Sequence, residues 1–367
     1  MDKIDWKRIK DVFSDGSYSM WGSTGISFSD PMQGHIGNCW IIAAASVSAQ
    51  DPDRIEDMFE IEHLNEAGVY AVKLYIMGIP VTVTVDDYLP FHKNSDKLMY
   101  SSPGPDNALW MPILEKASAK AYGSYEFLEG GNIGNAVQTL TGAPSYGKEN
   151  KEIGVDDIWD YIDKHLKAGD MVSTGSFFGF GSDKDTNDIG VPYRHAFTVN
   201  GAVELSDGTK LIRIRNPWGS ELFHGDWSDA SNKWTEKLKE DAGYVDKNDG
   251  LWFITPSDYI KSFENTTYNK NIFGMHQSYF AIFDMELDKT HNDVIKLKSN
   301  VDQTVLISAY VYDMTYAGNG DCVAHWYKRE GGTSNKAAVS CDKCEEQGWW
   351  GFNFGTHHFE PVKMTAG

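Results

Sequence analysis

The segment QGHIGNCWIIAAASVSA, residues 33–49, restricts the fold of this chain more than any other. A glycine-containing polar turn leads directly into an apolar stretch of helix-forming and small residues, which predicts a helix over 39–49 that other backbone can approach closely. Cys39 lies at the junction between the turn and this helix. An inert cysteine needs no such position, so the segment suggests a reactive thiol at a helix N-terminus, where the helix dipole favours the thiolate.

Length and composition are those of a globular protein with more than one domain. The chain has 367 residues, of which 41% are hydrophobic and 23% charged, which suffices for two or three domains with buried cores. The formal net charge is −20. This acidic excess disfavours nucleic acid and anionic membranes as main partners, and it is typical either of an acidic solvated surface or of cation binding.

The sequence contains no segment that predicts export or membrane insertion. The first residues, MDKIDWKRIK, are charged throughout, unlike the apolar region of a signal peptide, and no window has about 18 consecutive apolar residues. Four cysteines in a chain of this length do not form a disulfide framework. We therefore expect a cytoplasmic protein in which each cysteine is inert, catalytic or metal-bound.

Hydrophobic periodicity divides the chain into three regions. Residues 1–145 are predicted to be rich in helix, residues 146–265 rich in strand, and residues 270–367 almost entirely strand. The last region has the pattern of a separate β-sandwich-like domain, and its end is compatible with a fragment of a longer chain. The elements predicted for the first two regions are helices over 39–49, 108–123 and 155–169, a hairpin over 69–85, and strands over 171–176, 195–205, 211–216 and 251–254.

The other three cysteines cluster in the last region. Cys322 and His325 are followed, after fifteen intervening residues, by Cys341 and Cys344. Two pairs of ligands with this spacing are typical of a tetrahedral zinc site. The alternative is a set of cysteines in β-hairpins without metal, because neither pair has the glycines common in zinc-binding turns.

Two later segments supply candidate partners for the Cys39 thiol. His195 begins one predicted strand, and Asn216 ends the next, followed by Pro217 and Trp218. A histidine can act as the base for a thiol when another side chain holds its second ring nitrogen, and an asparagine carbonyl can do this. The chain order Cys, His, Asn is that of papain-like proteases.

The polar turn before Cys39 has the composition of an oxyanion-binding loop. Glycines in residues 34–38 allow backbone N–H groups to approach a substrate oxygen, and the Gln33 side-chain amide could donate to the same atom. Each such donor typically lowers the barrier by about 3 kcal/mol.

The segments around these residues resemble the catalytic core of calpains, papain-like cysteine proteases of the cytosol. The resemblance covers about residues 18–265 and implies an α+β fold: a two-lobed papain-like core, with a helix-rich and a β-rich lobe, and a following all-β sandwich-like domain. It is carried by QGHIGNCWIIAA, VTVTVDDYLP, ALWMPILEKASAKAYGSYEFLEGG, HAFTVNGA, LIRIRNPWG, GDWSDAS and DGLWFITPSDYIKSF.

The resemblance implies a role for each residue of the candidate site. Cys39 is then the nucleophile, His195 the base and Asn216 the residue that orients the base, while Gln33 and the Cys39 N–H form the oxyanion hole. The implied reaction is limited cleavage of other proteins, bound in extended conformation, through an acyl-enzyme. The chemistry requires no cofactor, and a regulatory domain or partner protein is a further expected partner.

Three residues around the implied cleft support or modify the site. Trp218 is expected to cover the hydrogen bond between His195 and Asn216, and Gly37 to belong to the substrate cleft. Arg194 stands where calpains usually have a glycine, directly before the histidine. Its guanidinium either crowds the cleft and disfavours a charged imidazole or points into solvent.

Calpain core lobes each bind one calcium ion, and the ligands that the resemblance implies are only partly present. Asp30 in the first lobe and Asp229 and Asp249 in the second match carboxylate ligands of the family. Glu221 is adjacent to a missing ligand, but the one-residue shift is expected to direct it elsewhere. Because calcium requires several charged oxygens, calcium regulation is expected to be weakened. Three further ligand positions hold Asn135, Leu222 and Leu251.

Three functions fit the sequence. The first is an active calpain-type endopeptidase. The second is a scaffold or binding protein on the same fold, in which the cleft is occluded and catalysis is weak or silent. The third is an acyl transferase that passes the acyl group to an amine, which the family resemblance disfavours.

Overall fold

The computed structural model of the chain describes residues 3–178, 182, 184–277, 301–306, 308–311, 355–358 and 362–364. The chain divides into two compact units, the larger comprising Met1–Ile76 and Pro80–Phe273 and the smaller Met77–Ile79 and Gly274–Gly367. The described α-helices are α1 (Ile9–Val12), α2 (Cys39–Ser48), α3 (Pro52–Glu56), α4 (Trp110–Tyr122), α5 (Ile133–Thr141), α6 (Asn150–Ile153), α7 (Ile158–Lys167), α8 (Glu236–Ala242) and α9 (Pro256–Ser262). The described strands are β1 (Ile4–Arg8), β2 (Val69–Ile76), β3 (Ile79–Asp86), β4 (Tyr88–His92), β5 (Ser145–Glu149), β6 (Met171–Ser176), β7 (Ala196–Glu204), β8 (Lys210–Arg215), β9 (Leu251–Ile254), β10 (Phe263–Asn269), β11 (Gln303–Val305), β12 (Ser308–Val311), β13 (Gly355–His358) and β14 (Val362–Met364).

Helix α2 is the central element of the larger unit. Every residue from Trp40 to Ser48 is buried, as expected for a helix that is apolar all round and lies inside a core. The helix packs against α5 on one side and against β6 and β7 on the other. Its small residues permit this close approach: the Thr198 hydroxyl of β7 donates to the Ala43 carbonyl at 3.2 Å.

A six-stranded antiparallel sheet, with strand order β5-β10-β6-β7-β8-β9, forms the second part of this unit. Helix α7 contacts β6, β7 and β8, and Ile158 and Ile162 join the sheet residues in one hydrophobic cluster. Strands β7 and β8 are antiparallel neighbours, with Thr198 opposite Arg215. The residue before β7 and the residue after β8 therefore lie at the same end of the sheet.

The structure confirms a mixed helix and sheet fold and most of the predicted elements of the larger unit. The predicted helix over 155–169 is shorter, because it begins at Ile158 and Val155 is 44% exposed. The alternating pattern predicted strand bounds more accurately than helical periodicity predicted the bounds of this helix. Strands β6 and β9 begin and end at the predicted residues. The lobe boundary near residue 145 stays a prediction.

The predicted β-sandwich-like domain lies mostly outside the described residues. Among the residues that are described there, β11 pairs with β14 and β12 with β13, both antiparallel, and two such pairs do not establish a sandwich. All four residues of the predicted zinc site, Cys322, His325, Cys341 and Cys344, lie outside the described part of the chain.

Candidate active site

Cys39 is the first residue of α2. The N-cap, Asn38, has φ −100° and ψ 30°, outside the helical conformation, and Cys39 is half-buried. The N–H groups of the first helical turn have no partner within the helix, and the helix dipole places partial positive charge there. The thiol therefore lies where the fold favours an anion, as the sequence predicts.

His195 and Asn216 meet at one end of the sheet. His195 precedes β7 and Asn216 follows β8, and the His195 Nε2 lies 2.8 Å from the Asn216 Oδ1. An amide oxygen only accepts, so the Nε2 carries the proton and donates it. Both residues are buried, and the His195 backbone is fixed by Ser176, whose hydroxyl accepts from the His195 N–H at 3.0 Å.

Trp218 covers this pair. Its ring centroid lies 4.5 Å from that of His195, with the planes at 41°. Its backbone N–H donates to the same Asn216 Oδ1 at 3.0 Å. The asparagine oxygen thus accepts twice and is held in one orientation, and the indole screens the His–Asn hydrogen bond from water.

The loop before Cys39 is bonded to this end of the sheet. The Gln33 N–H donates to the Pro217 carbonyl at 2.9 Å. The Gln33 Nε2 donates to the Ile36 carbonyl at 2.7 Å, so one of its two amide protons is used within the loop and the other is the one able to serve an oxyanion. Gly37 lies in the same loop, and a Cβ there would lie 3.3 Å from the Glu129 side chain.

Arg215 connects the sheet to the helix-rich side of the unit, a role that the sequence analysis missed. It is fully buried and donates to the Ser46 hydroxyl at 3.2 Å and to the Ser29 and Pro31 carbonyls at 2.8 and 2.7 Å. Burial lowers the pKa of this guanidinium to about 10. One sequence feature could have indicated this buried role: an arginine stands directly before Asn216, in a strand otherwise rich in isoleucine.

Arg194 is exposed and lies along a neighbouring segment. Its Nε donates to the Phe178 carbonyl at 2.8 Å, and its guanidinium lies 5.9 Å from the Phe178 ring centroid. The backbone φ of Arg194 is +50°, a conformation that glycine adopts without strain. This explains why the resemblance implies glycine at the position, and the exposure agrees with the solvent-facing interpretation of the side chain.

In the first lobe, Asp30 is the carboxylate that the resemblance implies as a calcium ligand, and Asn135 stands at the position of the missing one. Asp30 is buried and accepts from the Ser27 N–H at 2.8 Å and the Trp110 Nε1–H at 3.4 Å. Burial raises its pKa. Asn135 is exposed at the start of α5, where its backbone N–H donates to the Asn132 side chain. The Oδ2 of Asp30 therefore already accepts from two protein donors.

In the second lobe the structure corrects one expectation. Glu221 was expected to point away from the acidic cluster, but its carboxyl is hydrogen-bonded to that of Asp229, with Asp249 close by. The chain turns after Trp218, so the one-residue shift still brings Glu221 inward. Burial, followed by the charge of Asp229, raises the pKa of Glu221 to about 8.

Asp229 and Asp249 both act by charge on Glu221, so three carboxyls lie near one another in the second lobe. Within the described residues, no group of three or more His, Cys, Asp or Glu side chains is arranged to hold a metal ion. Leu222, at the position of one family ligand, is 45% exposed. The charged ligand set that the resemblance implies is incomplete in this sequence, and weakened calcium regulation stays a prediction.

A cysteine at a helix N-terminus, on a helix packed against a strand pair that carries a hydrogen-bonded His and Asn, is typical of cysteine peptidases. A family model described as calpain family cysteine protease matches residues 1–269. The calpain-type cysteine protease DEK1 of Zea mays is 33% identical over 266 residues, which are 70% of this chain and 12% of that protein. The calpain-1 catalytic subunit of Homo sapiens is 31% identical over 271 residues, 71% of this chain and 37% of that protein. The chain belongs to the calpain family, and it spans only a minor part of the length of these relatives.

Among the described residues, no helix has the length and apolar character needed to cross a membrane. The described helices are short, and the longest, α4, has 13 residues, whereas a membrane-spanning helix needs about 20.

Proposed function

We propose that this chain is a cysteine-type endopeptidase that makes limited cuts in intracellular proteins. The observation that carries the proposal is the buried His195–Asn216 hydrogen bond under Trp218, at the sheet end bonded to the loop before Cys39. This arrangement holds an imidazole in one tautomer next to a helix N-terminus that carries a thiol. Its substrates are extended protein segments, and a cytoplasmic location remains a prediction from the cysteine content.

In the proposed reaction the Cys39 sulfur attacks a peptide carbonyl carbon while the thiol proton passes to the His195 Nδ1. The carbonyl π electrons move onto oxygen, where the Cys39 N–H and the Gln33 amide stabilise the charge. The C–N bond then breaks as the imidazolium protonates the leaving amine, which leaves a thioester on Cys39. Water, deprotonated by His195, hydrolyses the thioester and restores the thiol.

Casein hydrolysis tests this proposal. The unmodified chain is expected to cleave casein, and Cys39→Ser to lose turnover, because a serine hydroxyl is not ionised by the same base. Ser118→Ala is the control, since it removes only the hydrogen bond of a buried hydroxyl to the Leu114 carbonyl, and it is expected to retain turnover. Cleavage that persists in Cys39→Ser would contradict the assignment of the nucleophile.

A scaffold function is the second candidate, and the observation that favours it is that Arg194, with a backbone φ of +50°, stands directly before His195, where the resemblance implies glycine. In a silent scaffold the thiol is occluded, so iodoacetamide would label Cys39 far more slowly in the native protein than after denaturation. We expect rapid labelling of the native protein together with turnover. Slow native labelling without turnover would replace the protease proposal by the scaffold.

We further propose that calcium has little control over this core. The Asp30 Oδ2 already accepts from protein donors, and Leu222 occupies a position where the family has a carboxylate ligand. Casein turnover is therefore expected to change less than about twofold between excess chelator and millimolar calcium, since the charged oxygen set that calcium requires is incomplete. Calorimetry that finds two sites with micromolar Kd would contradict this prediction.

A further inference from the structure

Glu115 is a completely buried carboxylate that the proposed chemistry does not use. It lies in α4 and is 2% exposed. Its Oε1 accepts from the Asn38 Nδ2 at 2.7 Å, and its Oε2 accepts from the Ser101 hydroxyl at 2.8 Å. The Ser101 N–H lies 3.2 and 3.1 Å from the two oxygens. Burying a carboxylate costs free energy unless hydrogen bonds satisfy it in this way. The fold therefore provides these donors specifically for Glu115.

One of these donors belongs to the residue that precedes the nucleophile. The peptide group between Asn38 and Cys39 carries the Cys39 N–H, which is the backbone donor of the proposed oxyanion hole. The orientation of this peptide depends on the Asn38 backbone, which is outside the helical conformation. Among the described residues, the Asn38 Oδ1 is buried without a hydrogen-bond partner, so the bond to Glu115 is what anchors this side chain.

The other donor, Ser101, belongs to the segment 99–102, which is hydrogen-bonded to the loop before Cys39. The His35 N–H donates to the Met99 carbonyl at 3.0 Å, and the Ser102 N–H donates to the Met32 carbonyl at 3.0 Å. Ser101 lies between these two bonds. The single carboxylate of Glu115 is thus hydrogen-bonded both to Ser101 in this segment and to Asn38 at the end of the loop.

The loop before Cys39 packs tightly against the segment 99–102, so the hydrogen bonds of Glu115 to this segment can change the position of the loop. A Cβ at Gly34 would overlap the backbone of Tyr100, so the loop lies directly on the segment 99–102. A displacement of Ser101 would therefore be transmitted to the loop. Displacements of about 1 Å at reacting groups can lower rates by about 10²-fold.

We propose that Glu115 is a positioning residue that fixes the Asn38–Cys39 peptide so that the Cys39 N–H is aimed at the substrate oxyanion. This inference rests on the proposed function of the same site. The carboxylate does not touch substrate, and it acts through Asn38 on one side and Ser101 on the other. Glu115→Gln conserves the shape but replaces one of the two acceptor oxygens by an NH2 group, which cannot accept from Asn38 or Ser101.

Two reactions of Cys39 separate positioning from a general structural role. Hydrolysis passes through an oxyanion, whereas alkylation by iodoacetamide displaces iodide and forms no oxyanion. We expect Glu115→Gln to lower kcat on a peptide substrate about 10- to 100-fold with KM within about twofold, and to leave the alkylation rate within about twofold. Equal loss in both reactions, or no loss in either, would overturn the proposal.

A matched control and a rescue variant complete the test. Ser118→Ala also removes a buried hydrogen bond in α4, that of the Ser118 hydroxyl to the Leu114 carbonyl, and it is expected to change neither reaction. Asn38→Asp combined with Glu115→Gln reverses the direction of the hydrogen bond, because the introduced amide then donates to the introduced carboxylate. This double variant should recover at least about tenfold of the lost kcat, since the anchor is restored. Absence of recovery would also count against the proposal.

A peptide aldehyde makes the test independent of turnover. The Cys39 sulfur adds to the aldehyde carbon, and the thiol proton ends on the former carbonyl oxygen, which occupies the oxyanion position. Glu115→Gln is expected to weaken aldehyde binding at least about tenfold. If the unmodified chain binds the aldehyde but does not hydrolyse peptides, the proposed function fails. The positioning role is then still tested by comparing aldehyde binding of Glu115→Gln with that of the unmodified chain. If the variant binds the aldehyde as tightly as the unmodified chain, the positioning role fails.

Discussion

The helix-rich and β-rich parts of the larger unit hold their functional residues in different ways. Cys39 is placed by a helix that is buried on all sides, and the loop before it is anchored by one buried carboxylate. His195 and Asn216 are placed by strand pairing, because they flank neighbouring antiparallel strands. The position of Cys39 therefore depends on helix packing and on one buried carboxylate. The positions of His195 and Asn216 depend on the register of the two strands.

The two parts also differ in how they treat buried charge. On the helix side, Asp30 and Glu115 are surrounded by N–H and O–H donors. On the sheet side, the Glu221 carboxyl lies near that of Asp229, whose charge adds to burial in raising the pKa of Glu221. Burial alone raises the pKa of Glu115, whereas burial and the charge of a neighbouring carboxylate together raise the pKa of Glu221. The following changes test this contrast.

The largest effect is expected from Asn216→Ala, which removes the group that orients the base. The Nε2 proton of His195 loses its acceptor, so the tautomer that presents Nδ1 to the thiol is no longer favoured. We expect kcat to fall by about 10² to 10⁴, measured by peptide hydrolysis, with Asn200→Ala on β7 as the control. A loss smaller than about tenfold would show that strand register alone positions the histidine.

Arg215→Met is expected to have the largest effect on stability. The substitution leaves the partly buried Ser29 carbonyl and the buried Pro31 carbonyl without their donor, at about 1–3 kcal/mol for each orphaned group. We expect the free energy of unfolding in urea to fall by about 2–6 kcal/mol in total. Lys167→Met on α7 removes an exposed ion pair with Asp163 and should cost less than about 1 kcal/mol. Equal losses in the two variants would contradict the assigned role of Arg215.

Glu115→Gln is expected to change how stability depends on pH. Burial raises the pKa of Glu115 from 4.5 to about 7, so the folded state binds this proton more tightly than the unfolded state. Its contribution is complete below about pH 4.5 and is lost as the pH rises through about 7, which amounts to about 3 kcal/mol. Urea unfolding at pH 5 and pH 8 should show a smaller difference for Glu115→Gln than for the unmodified chain. An unchanged difference would show that Glu115 is already ionised at pH 5.

The smallest effect is expected from Asp229→Asn. The charge and the hydrogen bond of Asp229 both contribute to the raised pKa of Glu221, so the substitution is expected to lower that pKa from about 8. Because both groups are partly exposed, the accompanying change in stability is small, and NMR titration of the Glu221 carboxyl carbon is the suitable measurement. A titration midpoint that does not move would show that burial alone sets the pKa of Glu221.

Much of this structure could be predicted from local sequence. The turn-to-helix junction at Cys39 and the strands that carry His195 and Asn216 were predictable because each depends on residues close in the chain. The Glu221 orientation was predicted wrongly, since the path of the chain after Trp218 depends on contacts with residues 229–249. Glu115 and Arg215 were missed because a charged residue in an amphipathic helix or strand is ordinarily placed on the exposed face.

By itself, the sequence determined the thiol at a helix start, the two strands that present a base and its orienting amide, and the family resemblance. Only the tertiary structure decided that Glu115 faces Asn38, 77 positions earlier in the chain, and that Arg215 reaches Ser29, 186 positions earlier. The physical reason is that periodicity and turn chemistry act over a few residues. Whether a charge is buried with partners depends instead on which distant segments are packed around it.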